Sequence, residues 1–248
     1  LADADNVTVS ISTENTSINL LSGSMSLGNM ESMTSVDITD DPIMFEITDD
    51  TQYDEQIILE LEIFYNDTSR RQYIETYVKP SYKQMAINEI SLSVPSNGRL
   101  GYVDLNRQIG MGMHYNYTKH LFNDCGILAG SSADDIASCI REVSEFEPLE
   151  ISSVVDAPET ADRIIQSKFS VSNTTAGINL DIIQKIYGWQ DQSDFLLSVY
   201  QLVNNNIVAL NDYYFGIFTD WDLITYSQNQ MRYDAESEIS YAKYTGTE

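Results

Sequence analysis

The chain is poor in positive charge. Lys and Arg total 13 among 248 residues, against 38 Asp and Glu, so the formal net charge is −25. Nucleic acids and anionic membrane surfaces are bound through clustered Lys and Arg, and both partner classes are disfavoured. Long apolar runs are also missing. No stretch of eighteen apolar residues occurs, which disfavours a membrane-spanning helix and insertion into a bilayer. The opening residues Leu1, Ala2, Asp3, Ala4 and Asp5 are acidic and polar, unlike a signal peptide. The chain therefore reads as a mature product or an excised fragment, a reading that leaves export open. Histidine and cysteine are scarce, with two of each. No Cys-x-x-Cys or His-x-x-x-His spacing is present, which disfavours a zinc site. A Ser-His-Asp triad would have to use His114 or His120, and no Gly-x-Ser-x-Gly elbow accompanies them. Gly110-x-Gly112 lacks the third glycine of a dinucleotide fingerprint.

What is present is material for a core. Apolar residues make up 42% of the chain, which excludes a disordered tail. Much of the patterning has period two, the signature of half-buried strands. Residues 7–12, 17–21, 25–27, 43–47, 56–65 and 71–78 read as short strands. Asn66, Asp67, Thr68 and Ser69 read as a hairpin turn, and Asp40, Asp41 and Pro42 as a turn. This density of short strands and turns predicts an Ig-like β-sandwich over residues 1–82. Lys79 and Pro80 mark the boundary, with the join at residues 79–86. Residues 83–248 read as a larger, jelly-roll-like β-sandwich of roughly ten strands. Its strands are predicted at residues 87–94, 100–103, 109–117, 121–129, 151–155, 163–171, 177–189, 195–203, 213–218 and 237–244. The run at 195–203 reads as a buried strand. Residues 134–144 are compatible with a short helix or a loop.

Two features suggest chemistry. Cys125 and Cys139 flank a segment with Gly130, Ser131, Ser132, Asp134 and Asp135, and a disulfide would close it. In a secreted protein such a loop closure contributes about 3 kcal/mol. Two free thiols, or a Cys125–His120 dyad, are the competing readings. The second feature follows the aromatic strand Tyr213, Tyr214, Phe215, Gly216, Ile217 and Phe218. There Asp220 and Asp222 share one side of an extended chain, and Asn229 and Asp234 follow. Hard cations take six to eight oxygen ligands, so these four are the predicted calcium set, with Asp194 and Asp212 as weaker candidates. The spacing is not that of an EF-hand. The competing reading is that the carboxylates only end a strand and bind loop amides.

The aromatic-Gly-x-Phe-x-Asp-Trp-Asp unit, running from Tyr214 through Gly216, Phe218, Asp220 and Trp221 to Asp222, resembles a β-rich accessory domain of secreted Bacteroidetes proteins. Asn229, Tyr233, Asp234 and Tyr241 extend the likeness. Residues 96–102, 121–131, 139–141 and 183–189 resemble other parts of the same domain. Residues 1–80 resemble the small Ig-like domain that often precedes it. These domains commonly follow a subtilisin-like peptidase domain and are exported by the type IX system. The resemblance implies a secreted or cell-surface, non-catalytic accessory role beside a peptidase domain of the same parent protein. The alternatives are a lectin-like module that binds a cell-surface glycan or protein, and a subunit of a surface filament built by strand addition.

Overall fold

The computed structural model describes every residue except 1, 41, 142–143, 157–158, 172–178, 193, 225 and 247–248. Strand takes up 59% of residues, and no α-helix occurs among those described. All strand pairings between the elements below are antiparallel. The chain folds as two compact units, Leu1–Pro80 and Ser81–Glu248.

The first unit holds β1 (Ala4–Ser12), β2 (Ile18–Ser22), β3 (Ser24–Met30), β4 (Met44–Ile47), β5 (Glu55–Tyr65) and β6 (Thr68–Val78). One sheet runs β3-β1-β5-β6, and β2 pairs with β4 in a second. Strand β2 carries Ile18 onto Ile57, Leu59 and Val78, with Ile11 packed beside them, and this is the core. The β5–β6 hairpin stays in register from Glu55↔Val78 to Tyr65↔Thr68. Asn66 and Asp67 close it with φ of 48° and 61°. Left-handed conformations at both central residues give a type I′ turn, whose twist suits a two-residue hairpin.

The second unit holds twelve strands: β7 (Tyr82–Ala86), β8 (Ile90–Pro95), β9 (Met113–Tyr115), β10 (Lys119–Ser132), β11 (Asp135–Ser138), β12 (Glu147–Val155), β13 (Arg163–Val171), β14 (Leu180–Gly188), β15 (Leu197–Asn204), β16 (Tyr214–Trp221), β17 (Asn229–Asp234) and β18 (Ile239–Tyr244). The long β10 organises one sheet. It pairs with β9 and then β11 along one edge and with β16 along the other, while β8 and β7 continue beyond β9. The opposing sheet runs β12-β13-β14-β15. Inward side chains of both sheets meet in two clusters. One joins Ile127, Ala129 and Cys139 to Phe169, Val171 and Ile182. The other joins Met85, Leu92, Val94 and Cys125 to Ile165 and Ile186. The connectivity is neighbour to neighbour, with β16 alone returning to the first sheet after the second is complete, where a jelly roll would form two Greek keys.

Several local expectations change. Residues 82–86, expected at the join, form β7. Residues 100–103 make only an isolated bridge from Leu100 to Cys125. The predicted strand 109–117 is cut to Met113–Tyr115, because Gly110 and Gly112 take φ of 107° and 67° and Asn116 and Tyr117 form a turn with φ of 51° and 58°. The stretch left open at 134–144 contributes β11, and its residues 142–143 lie outside the described residues. The strand predicted at 177–189 begins at Leu180, and residues 177–178 likewise lie outside the described set. The 195–203 run is not a buried strand. Among the described residues only β14 pairs with it, and Leu197 and Val199, opposite Tyr187 and Lys185 on the outer face of the sheet, are 48% and 42% exposed.

Candidate functional site

The four predicted calcium ligands do not converge. Strand β16 continues through Asp220, which pairs opposite Asp124 on β10. The Asp220 carboxylate meets the Arg141 guanidinium at 3.2 Å. Asp222 leaves the strand, donates its N–H to Leu121 O and faces a cleft beside His120. Asn229 starts β17 and donates from Nδ2 to Trp221 O at 3.2 Å, while its Oδ1 is buried without a partner. Asp234 ends β17, five residues along, which is about 17 Å in an extended strand. There it accepts from Glu236 N and Ser237 Oγ, closing the turn into β18. The Ser237 hydroxyl, followed by the Glu236 N–H, holds the Asp234 carboxyl below its ordinary value. Asp234 therefore behaves as a turn residue, for the same reason that aspartate favours turns generally. Among the described residues no three His, Cys, Asp or Glu side chains gather for a metal.

The cysteines are free and buried, which corrects the predicted disulfide. Cys139 lies opposite Ile127 on β10, since its N–H donates to Ile127 O, and Cys125 sits two residues further along. Diagonal cross-strand neighbours have Cβ atoms roughly 7 Å apart, beyond the about 4 Å of a disulfide. Burial pushes the thiols up to about 11 for Cys125 and about 12 for Cys139, so neither is a nucleophile at neutral pH.

An ion pair that sequence reading missed holds this region together. Arg99, from the glycine-rich 96–102 segment, pairs with Asp124 at 3.4 Å, with side chains 4% and 1% exposed. Arg99 also donates to Arg141 O, and Asp124 accepts the Arg141 N–H at 2.6 Å. Arg141 sits at φ 59° and places its guanidinium over the Phe218 ring. The segments carrying Arg99, Asp124, Arg141 and Asp220 thus meet through two ion pairs joined by hydrogen bonds to the Arg141 backbone.

Beyond it lies the histidine cleft. The Asn116–Tyr117 turn joins β9 to β10 and brings His114 opposite His120. Their rings are 5.1 Å apart at an edge-on 63°. Tyr102 Oη lies 3.3 Å from His120 Nε2. Gly112 makes this approach possible: a Cβ there would fall 2.8 Å from Tyr102 Oη and 2.9 Å from His120 Nε2. His114 Nδ1 is buried without a hydrogen-bond partner. Burial, and then the neighbouring His114, lower the His120 pKa from the usual histidine value, while Asp222 opposes the shift. His120 is thus predominantly neutral at neutral pH. Thr118, Lys119, His120, Asp222 and Ile224 line a cleft of about 650 Å³.

Two surfaces complete the inventory. The outer edges of β15 and β16 carry no strand partner among the described residues. They lie on the same side of the sandwich, where Tyr200 of β15 packs on Phe215 of β16 at 5.1 Å. At one end of the β14–β15 face, the Tyr187 and Trp189 rings lie nearly parallel, 6.3 Å apart, and Phe195 approaches Trp189 at 5.6 Å. The buried Asn88 amide pins this loop through the carbonyls of Trp189, Gln192 and Phe195. The geometry defines an all-β protein whose larger unit presents open sheet edges. No family model matches the chain, and neither does any curated protein or solved structure.

Proposed function

We propose that the chain is a non-catalytic interaction module of a larger exported or surface protein, and that its larger unit accepts an extended strand from a partner polypeptide along the β15 edge. One observation carries this reading. Strand β15, Leu-Ser-Val-Tyr-Gln-Leu-Val-Asn, has no charge, proline or glycine in a chain of net charge −25. Sheet edges are ordinarily guarded by charges, proline or bulges, and an unguarded apolar edge invites pairing. In strand addition the main chain supplies affinity and alternate side chains supply specificity. The neighbouring β16 edge has one charge, Asp220, already paired with Arg141. The resemblance of the 213–234 stretch to exported accessory domains agrees with this placement.

A synthetic peptide of residues 197–204 with lysines at both ends is a suitable probe, since added positive charge speeds its approach to an acidic protein. It should slow hydrogen exchange in β15. Val199→Glu puts a guarding charge on the edge opposite Lys185, with which it can pair, and should abolish the effect without unfolding the sheet. Protection appearing elsewhere, or surviving the substitution, would refute the reading.

The aromatic group Tyr187, Trp189 and Phe195 favours a second, lectin-like reading, in which a sugar ring stacks on a loop held in place by Asn88. Trp189→Ala should then remove retention on a glycan column and leave β15 exchange unchanged.

A further inference from the structure

Both histidines of the chain sit opposite each other across one strand pair, and the proposed strand-accepting role uses neither. We propose that His114 and His120 form a binding site for one divalent transition metal ion of the zinc and copper class, completed by water and the neighbouring Tyr102 hydroxyl.

The distances suit that chemistry. Imidazoles bound at about 2.0–2.1 Å and splayed at a roughly tetrahedral angle have ring centres about 5 Å apart. The two rings here are 5.1 Å apart. The unpartnered, buried Nδ1 of His114 is a second observation, because a buried nitrogen without a hydrogen bond is costly and ligation would satisfy it. An oxygen donor is at hand in Tyr102 Oη, beside His120 Nε2, while the Asp222 carboxylate across the cleft is not gathered with the two histidines as a ligand and contributes negative charge near the site. Asp222 also offsets the positive charge of Lys119 on the same rim. Imidazole ligands select zinc, copper and nickel over calcium and magnesium, so the site differs in kind from the calcium set predicted at the acidic bend. Gly112 keeps the space between Tyr102 and His120 open, as its missing Cβ would fill it.

The test is calorimetric titration of the full chain with zinc chloride at high ionic strength, where ions held loosely by the acidic surface are screened away. The expected result is uptake of one zinc per chain, undiminished by excess calcium or magnesium. It should be lost in His114→Gln and in His120→Gln, weakened about ten-fold in Asp222→Asn, and unchanged in Asp234→Asn. Should a histidine variant fail to fold, nuclear magnetic resonance of the unaltered protein decides: zinc should shift the ring protons of both histidines at one equivalent. No uptake overturns the proposal. So does uptake that survives loss of either histidine, competes equally with calcium, or leaves the ring protons unmoved.

Discussion

In residues 1–80 the buried apolar cluster is Ile18, Ile57, Leu59 and Val78, whereas residues 81–248 hold clusters of nine and eight. Polar links make up part of the difference in the smaller unit. Glu55 accepts from Ser17 Oγ, Asn15 Nδ2 and Gln52 N–H, tying the loop before β2 to the start of β5. The buried Thr51 donates to Thr48 O and lies within reach of Ser17 O. The larger unit carries its buried polar links between strands. The fully buried Gln184 accepts from Ser167 and donates to Tyr200, and Arg99 meets Asp124 with almost no exposure. Buried polar networks are costly to leave half satisfied and so specify a single arrangement. This fits where the candidate sites are found: in the unit whose interior fixes side chains to within hydrogen-bond tolerance.

The largest predicted effects probe the two cores. Phe169→Ala removes a fully buried ring that packs edge-on against Phe146 and should cost about 3–5 kcal/mol in denaturant unfolding. Ile57→Ala should cost about 2–5 kcal/mol, enough to consume much of what so small a core supplies. Hydrogen exchange should then show residues 1–80 losing protection while the β13–β14 amides keep theirs. Loss of protection in β13–β14 would break the distinction drawn between the units.

Next in size is the buried ion pair. Asp124→Asn leaves Arg99 charged and buried and should cost about 3–5 kcal/mol, whereas replacing both partners by apolar residues, Arg99→Met with Asp124→Leu, should recover most of it. A double variant as unstable as the single one would show that the bonds of both side chains to the Arg141 backbone, rather than the charge pair, carry the stabilisation.

Smaller effects separate the units by pH. His120 has a lowered pKa, so the unfolded chain binds a proton first and stability should fall as pH drops below the free-histidine value of 6.5. His114 and Asp222 act on the same ring, with Lys119 on the rim of the cleft, and His120→Gln should flatten this part of the melting-temperature profile. Glu55 in the first unit also has a lowered pKa, chiefly through the Ser17 hydroxyl and then the Gln52 N–H. Its contribution is present above the ordinary glutamate value and is lost as pH falls through the folded-state value, so Glu55→Gln should flatten only the acid limb. The smallest expected effect is the absence of a reaction. With thiols pushed to about 11 and about 12, Cys125 and Cys139 should resist alkylation until the larger unit unfolds, and rapid labelling of the native protein would contradict their burial.

Strand content was legible where alternation was clean, as in β1, β5, β13 and β14. The hairpin after Tyr65 was legible because Asn and Asp tolerate left-handed conformations, although the turn was read over residues 66–69 and Thr68 and Ser69 already belong to the strand. The second turn with two left-handed residues, Asn116–Tyr117, was read as the end of a strand. That reading hid the cross-strand pairing of His114 with His120, although the two lie symmetrically about Tyr117. Strand β15 was mistaken for a core strand because an apolar run looks the same in the middle of a sheet and at its edge. Asp234 was grouped with Asp220 and Asp222 because closeness in sequence stood in for closeness in space, and β17 carries it to the far end of a hairpin.

Composition and periodicity alone determined that this chain is an acidic, all-β protein with enough apolar residues for cores. Those properties are sums over residues or repeats along the chain, so no partner need be known. Which strand lies beside which was decided only by the tertiary structure, and with it the ion pair of Arg99 and Asp124, the distance between the two thiols, the meeting of the histidines and the open edge of β15. Each of these depends on pairing between distant segments. Register and burial follow from how the sheets close over one another, and a period-two pattern is silent about its neighbour.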